Sequence, residues 1–214
     1  MIDISTVTDF WDTCNESFSH VGGNKNTDNY YKYLNEVLDL YCIDWKDKTI
    51  IDYGIGNGQL YLLFNERGAG KYVGIDLSQR SLDKSREFIS RINSKMPYEL
   101  AITPQDFGAF NADIFITLSV IQHFPNEPYC VEFLQNLNQS NIPKLLLQIR
   151  YGDKVRFNDD YSDAGKVAFS SQMNSEFMLQ HLTNYNLTFA SGINEEKEGW
   201  RGRLYQYLHF TLAE

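Results

Sequence analysis

The sequence predicts one α/β domain built around a largely parallel β-sheet, and three observations predict it. Apolar runs of strand length alternate with longer segments of helical spacing through most of the chain, the pattern of parallel strands joined by crossover helices. The first run passes into an acidic, glycine-spaced loop, Ile50-Ile51-Asp52-Tyr53-Gly54-Ile55-Gly56-Asn57-Gly58. The next, Tyr72-Val73-Gly74-Ile75-Asp76, ends in a carboxylate.

Residues 5–20 mix Phe10, Trp11 and Phe18 with polar residues and read as a short amphipathic helix, interrupted by Gly22-Gly23-Asn24. A second helix starts near Thr27, whose hydroxyl suits a cap. It sets Tyr30, Tyr33, Leu34, Val37, Leu38 and Tyr41 at spacings of three and four. Strand and helix then alternate: strand 48–53, helix 58–67 ending at Gly68, strand 71–76, and helix 79–94 with Ser78 as its cap. Strands at 98–102 and 112–118, a helix at 126–138 and a strand at 144–149 follow. A short helix opens at Ser175 and runs to about Thr183. Strands at 186–191 and 204–212 flank the charged loop from Asn194 to Arg203 and read as a terminal antiparallel hairpin.

The chemistry lies in the first two strand ends. Glycine lets a backbone turn sharply and approach a ligand closely, and a carboxylate ending the second strand suits the hydroxyls of a ribose. The dinucleotide fingerprint G-x-G-x-x-G brings a pyrophosphate to a helix N-terminus. Here Gln59 stands at its last position, and the third glycine falls one residue early, at Gly58. Asp52, two residues before the first glycine, is unhelpful beside a pyrophosphate and well placed for a cationic amino group.

These residues resemble motif I of the class I S-adenosylmethionine-dependent methyltransferases, with Asp76 matching the acidic end of motif II. The resemblance covers about residues 45 to 150. It implies a Rossmann-like, seven-stranded, mostly parallel sheet with helices on both faces, residues 1–44 as a helical lid and 45–214 as the core. It also implies S-adenosyl-L-methionine as cofactor. Gly54, Gly56 and Gly58 then wrap its methionine portion, Asp52 is the counter-charge, Asp76 accepts from the ribose, and Leu77 packs on the adenine. Asp106, in Gln105-Asp106-Phe107, is placed either to accept from the adenine amine or to cap a turn.

The segment Leu118-Ser119-Val120-Ile121-Gln122-His123-Phe124-Pro125 resembles the one that closes on the cofactor and faces the acceptor in small-molecule methyltransferases. Leu118 is a candidate cofactor contact. His123 sits where a general base is wanted, or serves as a structural hydrogen-bonder; an ordinary imidazole titrates near pH 6.5, about where a base must work. DNA and RNA amino-methyltransferases often carry Asn/Asp-Pro-Pro-aromatic here, and Ser119-Val120-Ile121-Gln122 has neither prolines nor aromatic. Ser140-Asn141-Ile142-Pro143-Lys144 departs from the Leu-Lys-Pro-Gly-Gly of many small-molecule members, which weakens any subfamily assignment.

Tyr30, Gln148, Arg150 and Arg201 are the candidate acceptor contacts, with Arg156, Trp200 and Arg203 nearby in the sequence. Guanidinium groups bind carboxylates and phosphates through paired hydrogen bonds. The arginines therefore point either to a small anionic acceptor, such as a sugar or phosphorylated compound, or to surface pairs with Asp153, Asp159, Asp160 or Glu198.

Composition narrows the partners. The 214-residue chain is 43% apolar and 14% aromatic, enough for a full core. Its net charge is −9 and its pI about 4.9, against the cationic footprint that duplex nucleic acid requires. Cys14, Cys42 and Cys130 are too few and too scattered for a disulfide framework or a metal-ligand pair, so no metal is expected. Met1-Ile2-Asp3-Ile4 lacks the pattern of a secretory signal and the apolar run 114–121 is too short for a bilayer; a cytoplasmic protein without membrane contact is expected. The expected activity is methyl transfer to oxygen or nitrogen of a small molecule. The alternatives are a cofactor-binding regulatory subunit without catalysis and a protein methyltransferase. The oligomeric state stays open.

Overall fold

Apolar runs become strands and amphipathic segments become helices in the order the sequence predicts. The structure, a computed structural model, describes residues 7–12, 27–103, 106–157, 171–195 and 204–213. These fall into two compact units: residues up to 103 with 110–115 in the first, and 106–109 with the residues from 116 onward in the second.

The first unit contains α1 (7–12), α2 (Thr27–Leu40), β1 (Thr49–Tyr53), α3 (Gln59–Glu66), β2 (Lys71–Asp76), α4 (Gln79–Ser90) and β3 (Tyr98–Ile102). β1 pairs parallel with β2, setting Asp52 opposite Gly74, and β2 pairs parallel with β3. Ile50, Ile51, Tyr72, Val73 and Ile75 are buried, as continuous apolar strands of a parallel sheet should be. The three-and-four spacing of α2 buries Leu34, Val37, Leu38 and Tyr41. Arg67 ties α2 to the end of α3 through Asn35 Oδ1 (2.5 Å) and Asp39 Oδ1 (2.7 Å). As expected, Ser78 caps α4, its Oγ accepting from the Ser81 N–H.

The second unit contains α5 (Glu127–Gln139), β5 (Lys144–Arg150), α6 (Ser175–His181), β6 (Tyr185–Ala190), β7 (Asn194–Glu195) and β8 (Leu204–Leu212). Asn126 and Asn174 cap the two helices through their side chains. β8 runs antiparallel to β5, β6 and β7, which realises the terminal hairpin. β4 (Ile114–Thr117) is divided between the units, and the strand order is β3-β2-β1-β4-β5-β8-β6.

The seven expected strands are all present, and the two-residue β7 pairs with β8 in addition to them. Three expectations need correction. The helix expected at 79–94 stops at Ser90: the Ser94 hydroxyl is held by Tyr61 OH (2.9 Å) and Asn65 Oδ1 (2.5 Å), which draws the last turn out of helical geometry. The strand expected at 112–118 is only Ile114–Thr117, flanked by left-handed Asn111 (φ 47°) and Ser119 (φ 59°). The last helix ends at His181, not Thr183. Of the helix expected at 5–20, residues 7–12 are helical and 13–20 lie outside the described residues. Among the described residues no helix is long and apolar enough to cross a membrane.

Candidate functional site

The loop leaving β1 is held in shape by the tip of β2. Gly54, Gly56 and Gly58 all have positive φ, 81°, 56° and 78°. At Gly58 the requirement is twofold, since an added Cβ would also sit 3.2 Å from Ser85 Cβ on α4. Gly54 N–H donates to Ile75 O (2.7 Å), Gly56 N–H to Asp76 Oδ2 (3.0 Å), and Ser85 Oγ–H to Gly56 O (2.8 Å). Gly74 makes room on β2: a Cβ there would meet Ile55 Cδ1 at 2.2 Å.

Asp76 organises this corner. Its Oδ1 accepts from Ser78 N–H (2.9 Å) while Oδ2 holds Gly56 N–H. Burial pushes its pKa up to about 6, a rise that the Ser78, Gly56 and Leu77 N–H groups oppose. The carboxylate expected to meet a ribose is thus also the clamp that fixes the glycine loop. Leu77 is half-buried beside it. Asp12 of α1 accepts from the Ser78 hydroxyl, and its backbone O accepts from Arg80 Nη1 (3.2 Å).

Asp52 is the more unusual group. It is 2% exposed, and among the described residues its hydrogen-bonding side-chain partner is Tyr72, whose OH donates to Oδ2 at 2.6 Å. Burial pushes its pKa up to about 7, with Asp76 adding to the rise and the Tyr72 hydrogen bond opposing it. Among the described residues no cation pairs with it. A buried carboxylate without a counter-charge is costly, and beside a glycine loop it fits a ligand's ammonium group.

The second unit carries the segment after β4. Leu118 is half-buried, and Ser119 turns the chain. Gln148 Oε1 accepts from both Ser119 N–H (2.6 Å) and Ser119 Oγ–H (3.0 Å), and its Nε2 donates to Tyr207 OH (3.3 Å). Gln148, expected to contact the acceptor, is 2% exposed and braces this segment. His123 ends the 3₁₀ turn Ile121–His123, half-buried, with its N–H donating to Val120 O (2.8 Å). The turn is pinned by Ser171, whose N–H donates to Gln122 O (2.7 Å) and whose hydroxyl donates to Phe124 O (3.1 Å).

Asp106 Oδ1 accepts from Gly108 N–H (3.0 Å), so it caps the 3₁₀ turn Phe107–Phe110, the second of its two expected roles. Arg150 closes β5 half-buried. Asp153, one of the expected arginine partners, accepts from Tyr151 OH (2.9 Å). Tyr30 falls within α2. Arg201, Trp200, Arg203, Asp159, Asp160 and Glu198 lie outside the described residues. Sequence reasoning missed Tyr72, Ser85, Ser119 and Tyr207 as parts of these networks. The only signal was a tyrosine in an otherwise aliphatic buried strand. Among the described residues no cluster of three His, Cys, Asp or Glu could hold a metal.

Residues 44–200 match the model of a protein family described as "Methyltransferase domain". Ribosomal protein L11 methyltransferase of Colwellia psychrerythraea is 36% identical over 74 residues, 35% of this chain and 25% of that protein. The protein of the same name from Citrobacter koseri is 31% identical over 81 residues, 35% of this chain and 28% of that one. The chain therefore spans about a quarter of the length of these curated relatives. Among solved structures, magnesium protoporphyrin IX methyltransferase from Synechocystis PCC 6803 with bound SAH superposes with a TM-score of 0.73. It is 14% identical and covers 99% of this chain and 100% of that one. A SAM-dependent methyltransferase from Methanosarcina mazei gives 0.62 at 13% identity, over 82% and 96%. At such identities the likeness speaks to fold alone.

Proposed function

Because the chain belongs to the methyltransferase domain family and shares its fold with a methyltransferase that carries bound SAH, we propose that it transfers the methyl group of S-adenosylmethionine to an oxygen or nitrogen of a small polar acceptor. The observation that carries the cofactor assignment is Asp52, a buried carboxylate next to three glycines of positive φ and with no cation among the described residues. An α-ammonium group is the missing counter-charge, and the Gly54–Gly58 backbone gives the space for an amino-acid tail. Asp76, its carboxylate held by Gly56 and Ser78, keeps acceptor capacity for a ribose hydroxyl. The cofactor, when bound, supplies a methyl group already activated on a sulfonium. The protein's part is to orient it, exclude water and take up a proton. His123 is the group proposed for that proton, and Arg150 and Arg201 for an anionic acceptor.

Two features support a small acceptor over a nucleic-acid base: the net charge of −9 and the lack of an Asn/Asp-Pro-Pro-aromatic segment at 118–125. The magnesium protoporphyrin IX methyltransferase shares the fold over its full length and acts on a small molecule by its name. A second reading, methylation of a protein, is favoured by the local similarity to ribosomal protein L11 methyltransferases. Labelled S-adenosylmethionine incubated with the protein and a cell extract separates these readings. Label in the small-molecule fraction supports the first, and label confined to protein overturns it in favour of the second. Binding of S-adenosylhomocysteine without transfer to any fraction marks a regulatory subunit.

A further inference from the structure

The neighbour that β2 sets against Asp52 is a tyrosine with no freedom to turn away. Register places Asp52 opposite Gly74 and Ile50 opposite Tyr72, so Tyr72 lies diagonally across from Asp52 on the same sheet face. Gly74 contributes no side chain between them. The Tyr72 ring is 0% exposed, edge-to-face with Tyr61 at 5.4 Å and tilted against Phe64 at 6.1 Å. Its hydroxyl therefore meets Asp52 Oδ2 at 2.6 Å in the folded protein and has no route to water.

We infer that Tyr72 is a positioning residue for the cofactor: its hydroxyl fixes Oδ2 of Asp52 and leaves Oδ1 to receive the ammonium group. This rests on the reading that Asp52 holds that ammonium. The physical reason is twofold. A carboxylate pinned at one oxygen presents the other in one orientation, so little ordering remains when the ligand arrives. A donor to the charged form also favours ionisation, which matters because burial alone favours the protonated acid. A protonated Asp52 offers no counter-charge.

Among the described residues the groups that face Asp52 are few. From β2 come Tyr72 and Asp76, and Asp76 repels the carboxylate; from α3, Tyr61 acts on Tyr72. From α1, Asp12 acts on Asp76, and α4 contributes the non-titrating Ser85 at the loop. Asp76 remains in any Tyr72 variant, so the difference between variant and native pH profiles belongs to the tyrosine hydroxyl.

The test is calorimetric titration of S-adenosylhomocysteine into the native protein and Tyr72→Phe between pH 6 and 9, with thermal unfolding followed alongside. In the native protein affinity rises with pH as Asp52 ionises. In Tyr72→Phe the midpoint moves up by about one pH unit, affinity at pH 7 falls about five- to tenfold, and near pH 9 the gap narrows to the smaller loss that comes from the unpinned carboxylate alone. Superimposable profiles, or a loss equal at every pH, overturn the inference. Native protein that does not bind S-adenosylhomocysteine at all overturns the Asp52 reading beneath it. Replacing Tyr72 by 3-fluorotyrosine, a stronger donor of nearly the same shape, moves the midpoint down. This variant decides the matter if Tyr72→Phe does not fold, and an unmoved midpoint counts against the inference.

Discussion

Asp52→Asn should stabilise the protein and cripple cofactor binding, an opposition that an ordinary core mutation does not produce. The native carboxyl is pushed from 3.8 up to about 7 by burial. Between those values the folded protein keeps a proton that the unfolded chain has released, so stability falls as pH rises from about 4 to 7 and is level above. At about 1.4 kcal/mol per pH unit, the two units from pH 5 to pH 7 amount to roughly 3 kcal/mol. Asparagine has nearly the same shape and no charge in either state. Urea unfolding at pH 5 and pH 8 therefore shows the variant gaining about 3 kcal/mol on the native protein over that interval, whatever constant offset its amide donors add. Loss of a charge-assisted contact to the ammonium weakens S-adenosylhomocysteine binding at pH 8 by about 10- to 100-fold. Parallel stability curves together with unchanged affinity would refute the reasoning. Such a trade of stability for binding is the mark of a group placed for a ligand rather than for the fold.

Three further outcomes follow from the geometry. Gly58→Ala places a Cβ at φ 78° and 3.2 Å from Ser85 Cβ; thermal unfolding should report a loss of about 1–2 kcal/mol. Gln148→Ala removes the acceptor of Ser119 N–H and Oγ–H and the donor to Tyr207 OH; denaturant unfolding should show a loss of about 1–2 kcal/mol, since a buried side chain is truncated and three hydrogen bonds go, while the exposed Ser119 can turn to water. His123→Ala should lower kcat by about 100-fold or more if it takes the acceptor's proton, with S-adenosylhomocysteine affinity unchanged. Unchanged turnover removes the proposed base and leaves the family assignment standing.

Much of the fold was legible because its signals are local. The strands 71–76, 98–102 and 204–212 run as expected, since each is an apolar stretch bounded by turn or loop residues. Ser78 could be read as a cap from its place before an amphipathic run. What was not legible depends on contacts between distant residues. The early end of α4 follows from Ser94 being held by Tyr61 and Asn65. β7 exists only because β8 offers an edge to two residues with no strand pattern of their own. At the site, residue type singled out Asp52 and Asp76 as candidates. Only the register of β1 on β2 reveals that Tyr72 grips one and that the other clamps the glycine loop. Gln148 read as an acceptor contact because it lies near the end of β5, where ligands of such sheets sit; that it also braces Ser119 and Tyr207, far away in sequence, was not legible.

A crystal structure with S-adenosylhomocysteine at pH 8 tests the central claim most directly. The account predicts the ligand's ammonium within hydrogen-bonding distance of Asp52 Oδ1, its tail along Gly54–Gly58 and its ribose at Asp76. A ligand whose ammonium is neutralised elsewhere, with Asp52 still sealed behind Tyr72, would contradict it.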